Sequence, residues 1–571
     1  MKINPLVLFA LCLLMVSPLT TDSAGDELFI ASGRKLSPAQ RDYIQDRVKW
    51  LRDSDYSRRF EAIQFLIRLD LTALPFLTEV VERDSNPTPV RCAILALSEI
   101  NKPEIAPLIS RVVSDHRSSD DELIIAALGL GKLDVNVDLD LLRQLIQPDK
   151  NRQVRKAAAL ALTRKRDGES ASTLINLAKA EREDELASLF LLSAAMIGGE
   201  EVIKAMPRLF KSADLDRRRA LILGAAFLGD PVLLPTLLKF SRNDKHMADL
   251  LSVSLGRFPS PEVATYLMRV VSGPNPDLAI DALYASLIQA DEDAWNSIEC
   301  ALNPARPSQV RAHALLAMIE RECTQRFLQL IFQSMKDPHP EVRSAAVLAL
   351  LKTGHAEAPT RLIEALRVET QPSVVHDLLL TLGLTGGVQT MEPIERWTRP
   401  SLRENAAAWE LESTAETVIS VFEGKTDPAL LREQYEERLK QLSMGWGARF
   451  RVRVMNEIFK WMGLDRIIRK APENDGTGSG QIGSDTPQSG TSEDTDASGE
   501  GEAPNSGEPE GTGTGEETQV SSQTTSADDT STDPAEKQKK FLFRREVVEW
   551  DLLMWFTHYS YFPDECFAIP R

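Results

Sequence analysis

The chain has few of the residues that build compact catalytic sites or disulfide-linked folds. It has five cysteines and seven histidines in 571 residues, and the histidines are scattered without metal-ligand spacing. The sequence contains no phosphate-binding glycine loop, zinc-ligand pair or nucleophile elbow. We therefore expect no disulfide framework, no cofactor, no small-molecule substrate and no enzymatic activity.

Long apolar runs are also scarce, and the longest is at the N-terminus. Residues 6–16 are apolar without interruption, Lys2 precedes them and small or polar residues follow. Eleven apolar residues are too few to span a bilayer comfortably but fit a signal peptide. No permitted Asn-x-Ser/Thr site occurs. We expect a signal peptide over residues 1–24 and an exported protein of the bacterial periplasm or cell envelope.

Most of the excess negative charge lies in one segment of the chain. Residues 471–540 hold sixteen acidic side chains and three basic ones, so this segment carries −13 of the formal net charge of −18. The remaining chain carries only −5 and is close to neutral. Global charge therefore gives no indication of a nucleic-acid partner.

A recurring phrase is the main positive signal. Val154-Arg155-Lys156-Ala157-Ala158 returns as Val310-Arg311 and as Val342-Arg343-Ser344-Ala345-Ala346. A small or aliphatic marker residue inside this phrase recurs at intervals of 30 to 34 residues, which is typical of stacked helical repeats. The eleven markers are Ala62, Ala93, Ile124, Ala158, Leu191, Ile222, Ser252, Ala282, Ala314, Ala346 and Leu378.

The Val-Arg-x-x-Ala phrase resembles the HEAT-like repeats that also occur in phycobilin lyases. The resemblance implies an all-α, right-handed α-solenoid of about eleven helical hairpins over residues 36–400. Each unit has a marker helix, which holds the marker residue, and an intervening helix after it, interpreted here as the second helix of the hairpin. A lyase-type HEAT-repeat enzyme is the less favoured alternative, and the His-Glu dipeptides of iron-binding repeat hydroxylases are absent from the sequence.

Three segments follow the repeats. Residues 401–470 are expected to form a helical C-terminal cap that ends in a basic amphipathic helix. This helix either packs on the end of the solenoid with its charges solvated, which we favour, or lies on a membrane surface. Residues 471–540 predict a disordered acidic linker, and residues 541–571, with nine of the 35 aromatic residues, predict a short docking helix.

These features predict a non-catalytic scaffold that binds a protein partner carrying an acidic segment. In HEAT-like arrays the second helices line the concave face, so basic residues on the intervening helices are expected to line a groove there. The aromatic segment either docks back on this chain, near Trp446 to Trp461, which we favour, or binds another protein or a membrane surface as a second candidate contact. A peripheral membrane-surface adaptor is the alternative function. The candidate partner-binding residues are Lys204, Arg208, Lys211, Lys239, Arg242, Arg269, Trp550, Trp555 and Phe556.

Overall fold

A computed structural model of the chain describes residues 36–243, 247–398, 406–443 and 445–463. The predicted signal peptide, acidic linker and aromatic segment lie outside these residues, and so do Trp550, Trp555 and Phe556. The described residues form 26 α-helices and no strand. The prediction of an all-helical repeat fold is confirmed.

The eleven marker residues lie on eleven separate helices, and every one of them is buried. The marker helices are α2 (Tyr56–Arg68), α4 (Pro87–Ile100), α6 (Asp120–Lys132), α8 (Arg152–Arg164), α10 (Asp184–Ile197), α12 (Leu215–Leu228), α14 (Ala248–Leu255), α16 (Pro276–Ser286), α18 (Ser308–Glu320), α20 (Pro340–Thr353) and α22 (Pro372–Thr385).

A second set of helices alternates with them. The intervening helices are α3 (Leu74–Arg83), α5 (Ala106–Ser114), α7 (Leu139–Leu145), α9 (Gly168–Ala180), α11 (Glu200–Ser212), α13 (Leu234–Asn243), α15 (Pro261–Val271), α17 (Asp291–Leu302), α19 (Leu328–Ser334), α21 (Ala358–Val368) and α23 (Met391–Glu395). Helix α1 (Pro38–Lys49) precedes the array, and α24 (Ala406–Phe422), α25 (Pro428–Leu442) and α26 (Trp446–Met462) follow it.

Local chemistry determines where the helices begin and end. Ser37 and Ser119 start α1 and α6 with capping boxes, in which the serine hydroxyl and the N3 side chain each satisfy a free backbone N–H. Proline occupies the first turn of several marker helices, where its missing N–H costs nothing. Gly229 and Gly354 end α12 and α20 in the left-handed conformation.

The helices form two layers. Each marker helix packs against the next marker helix, and each intervening helix packs mainly against the marker helix that follows it. The intervening helix is therefore the first helix of each hairpin and the marker helix is the second. This order corrects the interpretation of the hairpin made from the sequence, which had the marker helix first.

The arginine of the recurring phrase joins successive repeats. The guanidinium of Arg343 donates to the Asp337 carbonyl before its own helix and to the Glu369 carboxylate before the next marker helix, at 2.9 and 2.7 Å. Arg155 and Arg311 make the same connection to acidic residues 26 positions later, Glu181 and Asp337. The phrase recurs because each arginine fixes the spacing of two loops.

Candidate interaction surfaces

The predicted basic residues lie on intervening helices. Lys204, Arg208 and Lys211 are exposed on α11, Lys239 is exposed on α13 and Arg269 is exposed on α15. The backbone of Arg242 belongs to α13. Because these are first helices of their hairpins, the expected placement in a groove of second helices does not follow.

The basic residues of α11 and α13 lie on neighbouring helices. The Phe210 and Phe240 rings, each next to one of the lysines in sequence, contact each other with centroids 5.3 Å apart. Lys204 pairs with Glu200 at 2.7 Å, and the guanidinium of Arg269 lies 5.3 Å from the Tyr266 ring. Arg208, Lys211 and Lys239 are thus the predicted basic residues that are exposed on α11 and α13 and for which no such contact is described.

A different surface is covered by the C-terminal part of the chain. Residues 428–463, which we call the return segment, comprise α25 and α26 and run back along the marker helices. Their contacts run in reverse order, from α22 and α20 through α16 and α12 to α8. The basic amphipathic helix therefore packs on the middle of the array, not on its end.

The apolar side of α26 is buried against the marker helices. The side chains that the sequence places on one side of this helix are at most 3% exposed, and the Phe450 ring lies 5.2 Å from the Phe227 ring of α12. The apolar side of α26 thus packs on the solenoid as expected, although on its middle and not on its end. The buried residues are Phe450, Val454, Ile458, Trp461 and Met462.

The charges of α26 are paired with the array, which corrects the expectation that they are simply solvated. Asp281 of α16, 4% exposed, accepts hydrogen bonds from Arg449 at 3.1 Å and from Arg453 at 2.6 Å. Lys460 pairs with Asp216 at 2.5 Å. Arg219 bridges Glu457 of α26 and Asp249 of α14, at 2.7 and 2.9 Å.

The C-terminal end of α26 contacts two hydrogen-bond donors on α8. The ammonium group of Lys156, with a side chain 1% exposed, donates to the Trp461 carbonyl and pairs with Glu185 at 3.2 Å. The Gln153 amide donates to the Met462 carbonyl at 3.5 Å. Burial lowers the pKa of Lys156. Two carbonyls that have no partner within the helix thus accept hydrogen bonds from side chains of the array.

At the start of α26, a buried tyrosine connects three elements. The Tyr284 hydroxyl lies 2.9 Å from the Ser443 Oγ and 3.2 Å from His313 Nδ1, and the Arg449 guanidinium lies 4.6 Å from the Tyr284 ring. Burial raises the pKa of Tyr284 to about 12. Burial and the nearby Arg449 charge lower the pKa of His313 to about 3, so this imidazole is neutral around pH 7.

Helix α25 has its own buried anchor. Arg438 donates to both oxygens of Asp377 at 2.9 and 3.2 Å, and the Tyr435 hydroxyl donates to the Leu348 carbonyl at 2.9 Å. Burial alone would raise the pKa of Asp377, but hydrogen bonds from His376, Arg438 and Ser344 outweigh it and hold that pKa below its ordinary value. Asp377 is therefore ionised while α25 is docked, and Arg438 of α25 helps to keep it so.

A cavity of about 970 Å³ opens between α22, α24 and α25. Its lining includes Pro372, His376, Glu410, Glu433 and Glu437. The His376 imidazole approaches Asp377 at 3.3 Å, so part of the lining belongs to the anchor of α25.

Two other kinds of feature are absent from the described part of the chain. Within it, no group of three or more histidine, cysteine, aspartate or glutamate side chains is arranged to hold a metal ion. None of the helices described combines the length and apolarity that crossing a bilayer requires.

Sequence reasoning missed the marker-helix face although a signal was present. Marker helices are apolar on nearly every side, yet six of them carry a polar residue at equivalent positions, separated by 30 to 32 residues or by about twice that. These residues contact the return segment directly or through one side chain. They are Lys156, Arg219, Asp249, Asp281, His313 and Asp377.

Comparison with known proteins supports the repeat assignment. A family model described as HEAT repeats matches residues 297–383, which contain the phrases at Val310-Arg311 and Val342-Arg343. The chain therefore contains HEAT-like repeats in this region. A search of curated protein sequences finds no match.

Several solved helical structures are similar to this one at low identity. Kap121p is 13% identical with a TM-score of 0.35, and the match covers 68% of this chain and 46% of Kap121p. The Pds5–Scc1 complex is 11% identical (TM-score 0.24, 78% and 86% covered), and UNC-45 from Drosophila melanogaster is 13% identical (0.22, 68% and 63%). The chain spans less than half of Kap121p, and these TM-scores carry no argument about function.

Proposed function

We propose that this protein is a non-catalytic scaffold of the cell envelope that binds a protein partner through the exposed layer of intervening helices. The observation that carries the proposal is the set of exposed cations on two neighbouring helices, Arg208, Lys211 and Lys239. The marker-helix face is covered from α8 to α22, so the intervening layer is the accessible repeated surface. An acidic partner segment matches its charge.

The envelope location rests on the N-terminal sequence, whose apolar run and flanking residues fit an export signal. Fractionation of cells that express the full chain tests this part separately. The phycobilin-lyase type of repeat likewise rests on the Val-Arg-x-x-Ala phrase alone.

The alternative function, a membrane-surface adaptor, relied on the basic amphipathic helix and on the aromatic segment. The structure argues against the first of these. The apolar side of α26 is buried against α12 and its neighbours, so this helix has no apolar side left for lipid while it is docked. An adaptor would depend on the aromatic segment at residues 541–571. Flotation of the full chain with anionic vesicles distinguishes the two functions.

The test of the scaffold function is partner capture by site-specific crosslinking. The full chain carries a photoreactive residue in place of Pro207 on α11 and serves as the bait. The native envelope fraction supplies the candidate partners. We expect the triple variant Arg208→Glu/Lys211→Glu/Lys239→Glu to lose the captured partner.

The matched control is Arg367→Glu, which changes an exposed arginine at the end of another intervening helix, α21. This control should retain the partner. Equal capture by the wild type and the triple variant, unaffected by raised salt, would reject electrostatic binding by this layer.

A further inference from the structure

We propose that the marker-helix face from α8 to α16 is a binding site for a basic amphipathic helix of a partner protein, and that α26 is a resident helix which such a partner replaces. The site differs from the basic intervening layer, because it lies on the other helices of the hairpins and its Asp216 and Asp281 pair with basic residues of α26. It also accepts the opposite partner charge, so the two proposals stand independently.

The face recognises a helix along its whole length. Apolar side chains at positions 450, 454 and 458 are buried, and Asp281 and Asp216 pair with basic residues at either end of α26. Arg449 and Arg453, one turn apart, converge on the single Asp281 carboxylate. The required partner is thus a helix with apolar residues at i, i+4 and i+8 and two cations one turn apart.

The face also recognises where the helix ends. Gly463 terminates α26 in the left-handed conformation, with φ of 80°, immediately after the two carbonyls that accept hydrogen bonds from Lys156 and Gln153. Lys156 is a buried cation whose donor points at the helix terminus. A cation next to the last carbonyls of a helix is favoured by the helix dipole, so the bound end of α26 explains a lysine at this depth.

The resident helix fits this site imperfectly. Among the described residues, the buried Trp461 Nε1, Glu457 Oε2 and Ser188 Oγ have no hydrogen-bond partner. Buried polar atoms without partners weaken an interaction. A partner helix that lacks these polar atoms, or that supplies their partners, would bind this face more tightly than α26 does.

Attachment to the array compensates for the imperfect fit. A tethered helix competes with free helices at an effective concentration in the millimolar range. A partner must therefore bind well, or α26 must be weakened, before the site becomes accessible.

The experiment uses a fluorescent peptide of residues 446–463 and the full chain. In the variant Arg449→Glu/Arg453→Glu, two carboxylates face Asp281 and release α26, while the array itself keeps its sequence. We expect this variant to bind the peptide at least tenfold more tightly than the wild type. Lys440→Glu, an exposed change on α25, is the matched control and should behave as the wild type.

A charge exchange tests specificity. Asp281→Lys alone, in an otherwise wild-type chain, should release α26, abolish binding of the natural peptide and permit binding of a peptide with Arg449→Glu/Arg453→Glu. Adding Asp281→Lys to the double variant should instead dock α26 again and close the site. Hydrogen exchange of the variant reports whether α26 has been released and whether α8 to α16 stay folded.

Three results would overturn the proposal. The first is a released α26 with no peptide binding, and the second is unfolding of α8 to α16 on release, which would make α26 a structural part of the array. The third is dimerisation of the double variant or the wild type through exchange of α26 between copies, which would make a second copy the occupant.

Discussion

Arg343 illustrates why one residue type recurs at the same position of successive repeats. Its guanidinium donates to the carbonyls of Asp337 and Pro338 and, through two bonds, to Glu369. The two side chains of the ion pair are 17% and 8% exposed. The arginine therefore satisfies groups in two loops that water reaches only in part.

We expect Arg343→Ala to destabilise the array by about 3 kcal/mol, because the substitution leaves the Glu369 carboxylate without its charged partner. Chemical denaturation followed by circular dichroism measures this change. Arg361→Ala is the control, since its partners Glu357 and Glu364 are exposed and its loss should cost less than about 0.5 kcal/mol. Equal effects of the two substitutions would contradict this account of the phrase.

At the scale of the helices, glycine determines how closely neighbouring marker helices can pack. A Cβ at Gly224 of α12 would lie 2.6 Å from the Cβ of Ala195 on α10. Neither atom can rotate away, so the two helices would have to separate. Small residues at this contact are what permit the close approach of α10 and α12.

Gly224→Ala should therefore destabilise the protein by about 1–3 kcal/mol through overpacking. Gly168→Ala is the matched control, because a Cβ there meets nothing within 4 Å at the first residue of α9. Thermal unfolding of both variants provides the comparison. A neutral Gly224→Ala would mean that α10 and α12 are less closely packed than described.

The docking of α26 should depend on pH through His313. The imidazole faces Tyr284 of α16 and Arg449 of α26, and its pKa is lowered to about 3 while α26 is docked. Release of α26 removes the Arg449 charge and part of the burial, so the pKa rises towards its ordinary value of 6.5. The released state then binds a proton that the docked state does not.

It follows that docking is strongest above pH 6.5 and weakens as pH falls towards the docked pKa. The decrease is up to about tenfold per pH unit in this range. Hydrogen exchange of α26 at pH 7 and pH 5 measures it, and His313→Gln should reduce the difference. An unchanged pH dependence in that variant would exclude His313 as the group responsible.

The sequence predicted some elements better than others, for physical reasons. Eleven marker helices were predictable because the period of about 32 residues records contacts between neighbours in the chain. The return of α26 was not, because Lys156 and Trp461 are 305 residues apart and no local pattern encodes their contact. The order of the helices within a hairpin was also wrong, since both orders give the same period.

At the scale of the whole molecule, the described chain is an array in which one repeated face is covered and the other exposed. Asp281, a buried carboxylate on a marker helix, pairs with two arginines of α26, and Lys156 donates to the Trp461 carbonyl of α26 in addition to pairing with Glu185. Removing α26 would leave charges of both signs exposed along the marker helices. This face is therefore suited to binding a helix, and α26 demonstrates how one fits.

The central claim is that α26 is a replaceable occupant of the marker-helix face. Its most direct test is hydrogen exchange, followed by mass spectrometry, of the full wild-type chain under native conditions. We predict that the amides of α26 exchange faster than those of α12 and α16, because α26 opens while the array stays folded. Equal protection of α26 and these marker helices would contradict the claim, because it would mean that α26 opens only when the array unfolds.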